Sequence, residues 1–185
     1  MNVGERRAAA LESFLAGVER KAFKIAQLAL RNPDDALDAV QDAMLSLVKS
    51  YAHRSETEWK PLFYRILDNK VLDIQRRRSI RGRLTALLPS SRDDPDGDPP
   101  DPLAQAPDPA PLPAAQLETD EAIAALERAL ARLPHRQRQA FMLRSLEGLD
   151  VAATAQAMGC SEGSVKTHYF RALQFLRAQL GEFGS

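Results

Sequence analysis

The sequence lacks the features that would mark an exported, disulfide-bonded or membrane-spanning protein. Its 185 residues include one cysteine, Cys160, which excludes an internal disulfide and every zinc site built from several cysteines. Such low cysteine usage fits a reducing compartment. No apolar run approaches the roughly 20 residues of a membrane-spanning helix, and no secretory hydrophobic segment follows the N-terminus. We therefore expect a cytoplasmic protein without membrane insertion.

The chain also lacks net charge, which argues at first against a nucleic-acid partner bound by bulk basicity. Lys and Arg number 25, and Asp and Glu also number 25. The charges are unevenly spread, because residues 1–88 carry 16 basic and 11 acidic side chains, whereas residues 89–117 carry one and six. Residues 118–185 carry eight of each sign. The neutral total therefore conceals a basic segment that could bind nucleic acid.

Proline marks the domain boundary. Of the 12 prolines, nine lie between positions 89 and 113, where six aspartates also occur. Proline opposes helix and central strand, and a segment with few large apolar groups cannot bury enough surface to offset its ordering entropy. The sequence predicts a flexible linker over 89–117, between one domain at 1–88 and another at 118–181. The alternative is an ordered acidic loop on one compact domain.

Apolar residues on both sides of this segment recur at steps of three and four, which is typical of amphipathic helices. Asn32 and Pro33 separate the first two predicted helices, and Pro61 is expected to open the third at its first position. No useful stretch alternates with a period of two. The predicted fold class is therefore all-α, with two small helical domains.

Residues 150–165 have the pattern of a helix-turn-helix. Asp150 and Ser161 stand where two helix N-caps are required, and Gly159 suits the tight turn between them. Ala155 allows the helices to approach, and Val165 anchors the second helix in the core. An ordinary helical hairpin with a solvated polar face is the alternative. On the second helix, side chains suited to phosphates and base edges are expected outside: Ser164, Lys166, Thr167, His168 and Arg171.

Two further clusters allow more than one interpretation. An arginine run, Arg76 to Arg78, follows three aromatic residues, Trp59, Phe63 and Tyr64. Interleaved arginines and aromatics can stack unpaired bases, but the arginines could equally be a solvated helix end and the aromatics core residues. The second cluster comprises Asp34, Asp35, Asp38, Gln41 and Asp42. It lacks the spacing and glycine of a calcium loop, so helix-start electrostatics or a docking surface is favoured.

Catalytic patterns are missing as well. The three histidines are far apart in sequence, and no nucleophile motif or phosphate-binding glycine loop occurs. The sequence therefore predicts no catalytic residue, no metal site and no cofactor.

Three blocks together resemble bacterial RNA polymerase sigma factors of the extracytoplasmic-function group. Residues 35–42, DALDAVQD, resemble the family's acidic DAEDLVQE helix, which docks on the clamp of the largest polymerase subunit. Residues 64–77, YRILDNKVLDIQRR, resemble the YRIARNLALDLLRR segment that captures the melted −10 promoter element. Residues from Leu133 to Thr167 resemble the family's second domain, which reads the −35 element.

This resemblance implies a transcription initiation factor rather than an enzyme, with core RNA polymerase, promoter DNA and an anti-sigma protein as partners and a monomer as the free form. The implied polymerase-binding residues are Asp35, Asp38, Gln41, Asp42 and Leu45. The implied −10 contacts are Tyr64, Arg65, Asn69, Asp73, Arg76 and Arg77. The implied −35 contacts are Ser161, Ser164, Lys166, Thr167, His168 and Arg171. For Asn69, an amide bond within the helical core is the alternative role. For the whole chain, the alternative is an autonomous helix-turn-helix regulator with an N-terminal interaction domain.

Overall fold

The computed structural model describes residues 2–87 and 114–181, with side chains at 2–82 and 120–181. Every regular element among these residues is helical, which confirms the predicted all-α class. The predicted linker, 89–117, lies outside the described residues except for 114–117, which belong to a helix.

The first two helices begin at asparagine caps. Helix α1 (Val3–Leu30) begins after Asn2, whose side chain accepts a hydrogen bond from the Glu5 backbone N–H while Glu5 accepts one from the Asn2 backbone N–H. The helix ends at Arg31, which takes a left-handed conformation with φ of 52°. Helix α2 (Pro33–Tyr51) begins after Asn32, which caps the Asp35 N–H at 2.9 Å. These bonds satisfy donors that a helix start leaves unpaired, reciprocally in the case of Asn2 and Glu5.

Helix α3 (Glu56–Leu87) begins earlier than predicted. Pro61 was expected at its first position but lies within the helix, one turn beyond the start. The reason is a stronger start signal upstream, because the Ser55 hydroxyl and N–H both donate to the Glu58 carboxylate, at 2.9 and 3.1 Å. The Ser55 hydroxyl and then the Ser55 N–H hold the pKa of Glu58 below its ordinary value.

The second half contains four helices: α4 (Ala114–Arg132), α5 (His135–Phe141), α6 (Val151–Met158) and α7 (Glu162–Leu180). A five-residue π-helical turn, Met142–Leu146, prolongs α5.

The predicted helix-turn-helix is confirmed as the pair α6 and α7. The Asp150 carboxylate caps the Ala153 N–H at 2.7 Å, and the Ser161 hydroxyl caps the Ser164 N–H at 3.2 Å. Between the helices, Gly159 has a φ of 61°, in the region that glycine occupies without the steric cost of a Cβ.

The two halves pack directly against each other. Helix α3 lies on α6, and α1 lies on α4. A continuous apolar cluster joins first-half core residues such as Leu67 and Val71 to Leu143 and Met158 of the second half. A separate cluster between α4, α5 and α7 fills the rest of the second half. Among the described helices, none is long and apolar enough to cross a membrane.

Candidate functional site

The acidic surface of α2 is partly occupied by cations from α3. Arg78 forms an ion pair with Asp35, and Lys70 lies 3.6 Å from the Asp42 carboxylate. Asp38 and Gln41 are exposed between these pairs. The predicted polymerase-binding row therefore divides into two carboxylates that hold α2 against α3 and two polar side chains that face solvent.

An apolar strip runs beside these polar residues, and only one of its members was predicted. Leu45 is 54% exposed, and Leu37 and Val48 are also exposed. Met44 and Val48 further line a groove against α1. The signal was present in the sequence, because large apolar side chains occur on more than one face of this helix.

The aromatic residues near the start of α3 are buried in this arrangement, as the core interpretation of the sequence expects. Trp59, Phe63 and Tyr64 are all at most 3% exposed. The rings of Phe63 and Tyr64 meet edge to face, with centroids 5.2 Å apart. Burial of this extent leaves these rings no free face in this arrangement on which a base could stack. Tyr64 was predicted as a −10 contact, and here it lies between the two halves of the molecule.

The remaining predicted −10 residues form an exposed row on α3. Arg65, Asn69, Asp73 and Arg76 follow one another at three- or four-residue steps, and Arg77 is exposed beside them. Arg76 lies 3.5 Å from the Asp73 carboxylate. The Asn69 amide makes no hydrogen bond to any residue that the structure describes, so it is available to a partner.

The arginine run at the end of this row is divided between two tasks. Arg76 and Arg77 are exposed, whereas Arg78 donates to the Leu30 carbonyl at 2.8 Å in addition to its pair with Asp35. Arg78 therefore ties α3 to the junction of α1 and α2.

Helix α7 presents a narrow exposed face that combines basic, hydroxyl and aromatic groups. Lys166, Thr167, Phe170 and Arg171 lie on it at helical spacing. Phe170 was not predicted, yet it is 58% exposed, and its steps of four and three from Lys166 and Thr167 could have identified it. A phenylalanine in this position suits the thymine methyl group in a major groove.

Three other predicted −35 residues have partial structural roles. Ser161 caps α7, and its hydroxyl lies 2.9 Å from the Ser164 hydroxyl. His168 is half-buried, and its Nδ1 atom is buried without a hydrogen-bond partner among the described residues. These side chains are therefore less available to DNA in this arrangement than the four exposed ones.

A buried carboxylate lies between the two halves, and no pattern in the sequence predicts it. Glu147 follows the π-helical turn, and its side chain is 1% exposed. Lys60 of α3 approaches its carboxylate at 3.2 Å and donates to its backbone carbonyl at 2.8 Å. Lys21 of α1 lies 3.8 Å from the other carboxylate oxygen and donates to the Leu146 carbonyl at 3.1 Å.

Two neighbours complete this polar contact. The Tyr64 hydroxyl is buried beside Glu147 without a well-aligned hydrogen bond. Burial, and then the negative charge of Glu147, raises the pKa of Tyr64. Further along the same side of α3, Asp68 lies 2.9 Å from Nε2 of His135 in α5. A cavity of about 30 Å³ adjoins this pair.

In the described part of the chain, no three His, Cys, Asp or Glu side chains converge as metal ligands would.

Comparison with known proteins shows to which family the chain is similar. The family model described as Sigma-70, region 4, matches residues 123–176. The chain is 34% identical over 163 residues to the ECF RNA polymerase sigma factor SigM of Mycobacterium tuberculosis, covering 88% of this chain and 72% of that protein. It is 32% identical over 167 residues to the ECF RNA polymerase sigma factor SigF of Caulobacter vibrioides, covering 90% and 82%.

Solved structures show the same fold. The sigma factor RpoE of Bartonella quintana, crystallised with the anti-sigma factor NepR, superposes with a TM-score of 0.63 at 21% identity, over 92% of this chain and 96% of that one. CnrH in complex with the cytosolic domain of CnrY superposes with a TM-score of 0.58 at 20% identity, over 95% of each chain.

Proposed function

The chain belongs to the ECF family of RNA polymerase sigma factors, and from this premise we propose how its surfaces divide the work of promoter recognition. It is a transcription initiation factor that directs core RNA polymerase to promoters. Membership of this family disfavours an autonomous regulator, which would need a symmetric dimer to read paired half-sites. We infer that it acts in the cytoplasm, as a monomer when free, by binding and without chemistry of its own.

The −35 element is read by the exposed face of α7. Lys166 and Arg171 supply charge for phosphates, and Thr167 and Phe170 supply a hydroxyl and an apolar ring for base edges. The observation that carries this proposal is the coincidence of two independent features. The region 4 match covers α5, α6 and most of α7, and within it α7 exposes these four side chains on one face.

The −10 element is captured by the exposed row on α3. Asn69 offers a short amide that can pair with the edge of an unpaired base, while Arg65, Arg76 and Arg77 hold the neighbouring phosphates. Each base that leaves the duplex and stacks on a protein gains roughly 1–3 kcal/mol, which favours the melted strand. The aromatic surface for such stacking is not exposed in this arrangement, because Tyr64 and Phe63 are buried.

Core polymerase binds the α2 surface. Asp38 and Gln41 provide polar contacts, and Leu45 provides apolar area at the centre of the contact, where buried side chains contribute most. Asp35 and Asp42 support this surface by pairing with α3. An anti-sigma protein is the expected inhibitor, because both structural relatives above were solved with a bound partner, one of them named as an anti-sigma factor. Such a protein would cover this α2 face or bind between the two halves.

Promoter-directed transcription tests this assignment. Purified chain and core polymerase are incubated with a promoter library, and transcript start sites are sequenced. We expect start sites that depend on the chain and share both upstream elements. Arg171→Ala should lower their yield, whereas Arg128→Ala should not, because Arg128 is an exposed cation on α4 away from α7. Start sites that are independent of the chain, or equal loss in both variants, would contradict the proposal.

A further inference from the structure

The packing of α6 onto α3 is incompatible with simultaneous reading of both promoter elements. The −10 and −35 elements lie about 25 base pairs apart, or about 85 Å along B-form DNA at about 3.4 Å per base pair. A compact chain of this length has a radius of gyration of only about 16 Å. In the structure, the turn before α7 lies beside the −10 row. A Cβ atom added to Gly159 in this turn would be 3.9 Å from the Arg65 guanidinium. The two reading surfaces are therefore neighbours, whereas the elements that they read are far apart.

We propose that the structure is a closed, self-inhibited state of the free sigma factor, held by a clasp of Glu147 with Lys60 and Lys21, which must open before the two elements are engaged together. This inference rests on the proposed function, because it assumes that α3 and α7 are the reading surfaces.

The clasp spans the contact between the two halves, so separation of the halves breaks every interaction in it. Glu147 belongs to the second half, while Lys60 and Lys21 come from two different helices of the first half. Both lysines also donate to backbone carbonyls beside the carboxylate, those of Glu147 and Leu146. No charged partner of Glu147 from its own half is found among the described residues. Its charge is therefore compensated only while the halves remain together.

The chemistry of the clasp makes closure reversible. A buried carboxylate is stabilised by its lysines in the closed state and by water in the open state, so the net difference is small. Lys60 and Lys21 keep 33% and 48% of their side chains exposed, so both recover full hydration at little cost. An apolar contact alone would not give such a small difference between the closed and open states, because all of its buried area would be exposed to water on opening.

Closure also covers groups that lie on or beside the −10 surface. Tyr64 is buried under the second half, and Asp68 is engaged by His135. The turn before α7 lies against Arg65, at one end of the exposed row. Promoter DNA and core polymerase must therefore compete with the second half for this end of α3.

Distance measurements on the free, full-length chain test the closed state without polymerase or DNA. In a Cys160→Ser background, spin labels at Ser50→Cys and Gln174→Cys report on opposite halves, because Ser50 lies in the last turn of α2 and Gln174 lies on α7, both exposed. Pulsed electron resonance should give one narrow distance distribution, because closed halves hold the two labels at a fixed separation. A broad distribution at long distances would overturn the proposal.

Two isosteric or near-isosteric variants test the clasp itself. Glu147→Gln removes the buried charge and keeps the side-chain shape, and Lys60→Met removes its partner from the other half. Lys60→Met leaves the buried Glu147 carboxylate without its nearer cation, and truncation of one member of such a pair shifts an interface equilibrium by at least about thirtyfold, so this variant should move most molecules to long distances. Glu147→Gln leaves lysines that are 33% and 48% exposed, so it should shift the distances in the same direction by a smaller factor. Glu121→Gln, an exposed carboxyl on α4, is the matched control and should not. Unchanged distances in both clasp variants, with circular dichroism confirming their fold, would overturn the role of Glu147.

The transcription assay separates this inference from the proposed function. If closure is real and the chain is active, Lys60→Met should raise transcription at limiting polymerase, because less of the chain is closed. If the distances behave as expected but no chain-dependent start site appears, the proposed function fails while the closed state stands. If start sites appear but the free wild-type chain is open, the closed state fails and the function stands.

Discussion

Truncation of Phe170 and of Arg171 should weaken binding to −35 duplex DNA in two distinguishable ways. Both side chains lie on the exposed face of α7, but one is apolar and the other is charged. An apolar contact to a base edge is insensitive to salt and depends on sequence. A phosphate contact releases counterions and is independent of sequence.

The size of the Phe170 effect follows from its exposure. The residue is 58% exposed, so about 100 Å² of a side chain of about 200 Å² remains for a partner. At about 25 cal/mol per Å², complete burial of that area would stabilise the complex by at most about 2.5 kcal/mol. Because a base edge covers only part of a ring, Phe170→Ala should cost about 1–2 kcal/mol, or about tenfold in Kd.

The size of the Arg171 effect follows from counterion release. Each phosphate neutralised contributes about 0.9 to the slope of log Kobs against log salt. Arg171→Ala should therefore lower the steepness of that slope by about 0.9 and weaken binding to matched and mismatched duplexes alike. Phe170→Ala should leave the slope unchanged and reduce the discrimination at one base pair.

Fluorescence anisotropy with labelled −35 duplexes, titrated at several salt concentrations, measures both quantities. The full chain is used, with Arg128→Ala as the control for charge elsewhere on the second half. The assignment of these two roles is refuted if Phe170→Ala changes the salt slope, or if Arg171→Ala changes base preference without changing the slope.

Three further predictions concern the first half. Asp38→Arg with Gln41→Ala should weaken association with core polymerase at least about tenfold by a charge clash and a lost polar contact, and unchanged affinity with intact circular dichroism would reject that docking surface. Asn69→Ala should reduce promoter melting in permanganate footprinting without affecting −35 duplex binding, and normal melting would leave only a structural role. The pKa of Tyr64 is raised, so its contribution to stability is complete below pH about 10 and is lost as the pH rises further. Tyr64→Phe should therefore flatten the alkaline fall in the denaturation midpoint. An equally steep fall in the variant would contradict this.

Local signals in the sequence predicted the helices and the helix-turn-helix well. Asn32 before Pro33, Asp150 and Ser161 each cap a helix in the structure, because an N-cap depends on atoms within three residues of itself. Gly159 was predicted in the turn for a similarly local reason, since its positive φ suits a residue without a Cβ. Where a local signal was misjudged, as at Pro61, the competing signal from Ser55 and Glu58 was also local.

The face of a residue on its helix was harder to predict. Periodicity placed Trp59, Phe63 and Tyr64 near the basic run, but it could not tell a stacking platform from a core, because both use aromatic rings at helical spacing. Phe170 presents the reverse case, as a large apolar side chain that the fold leaves exposed. In both cases the deciding quantity is contact with another helix, which depends on residues distant in sequence.

Contact between the two halves could not be predicted from any segment alone. Glu147 lies in a short Leu-Glu-Gly stretch after a helix, where an acidic residue is ordinarily solvated. Its partners, Lys60 and Lys21, are 87 and 126 residues away, and neither has a pattern that distinguishes it from a surface lysine. What distinguishes the three residues is that the Glu147 carboxylate is 1% exposed and, among the described residues, has cationic partners only from the other half. An uncompensated buried charge is costly, so any variant or partner that displaces the lysines from Glu147 should oppose the apolar packing between the two halves and favour the open form that promoter recognition needs.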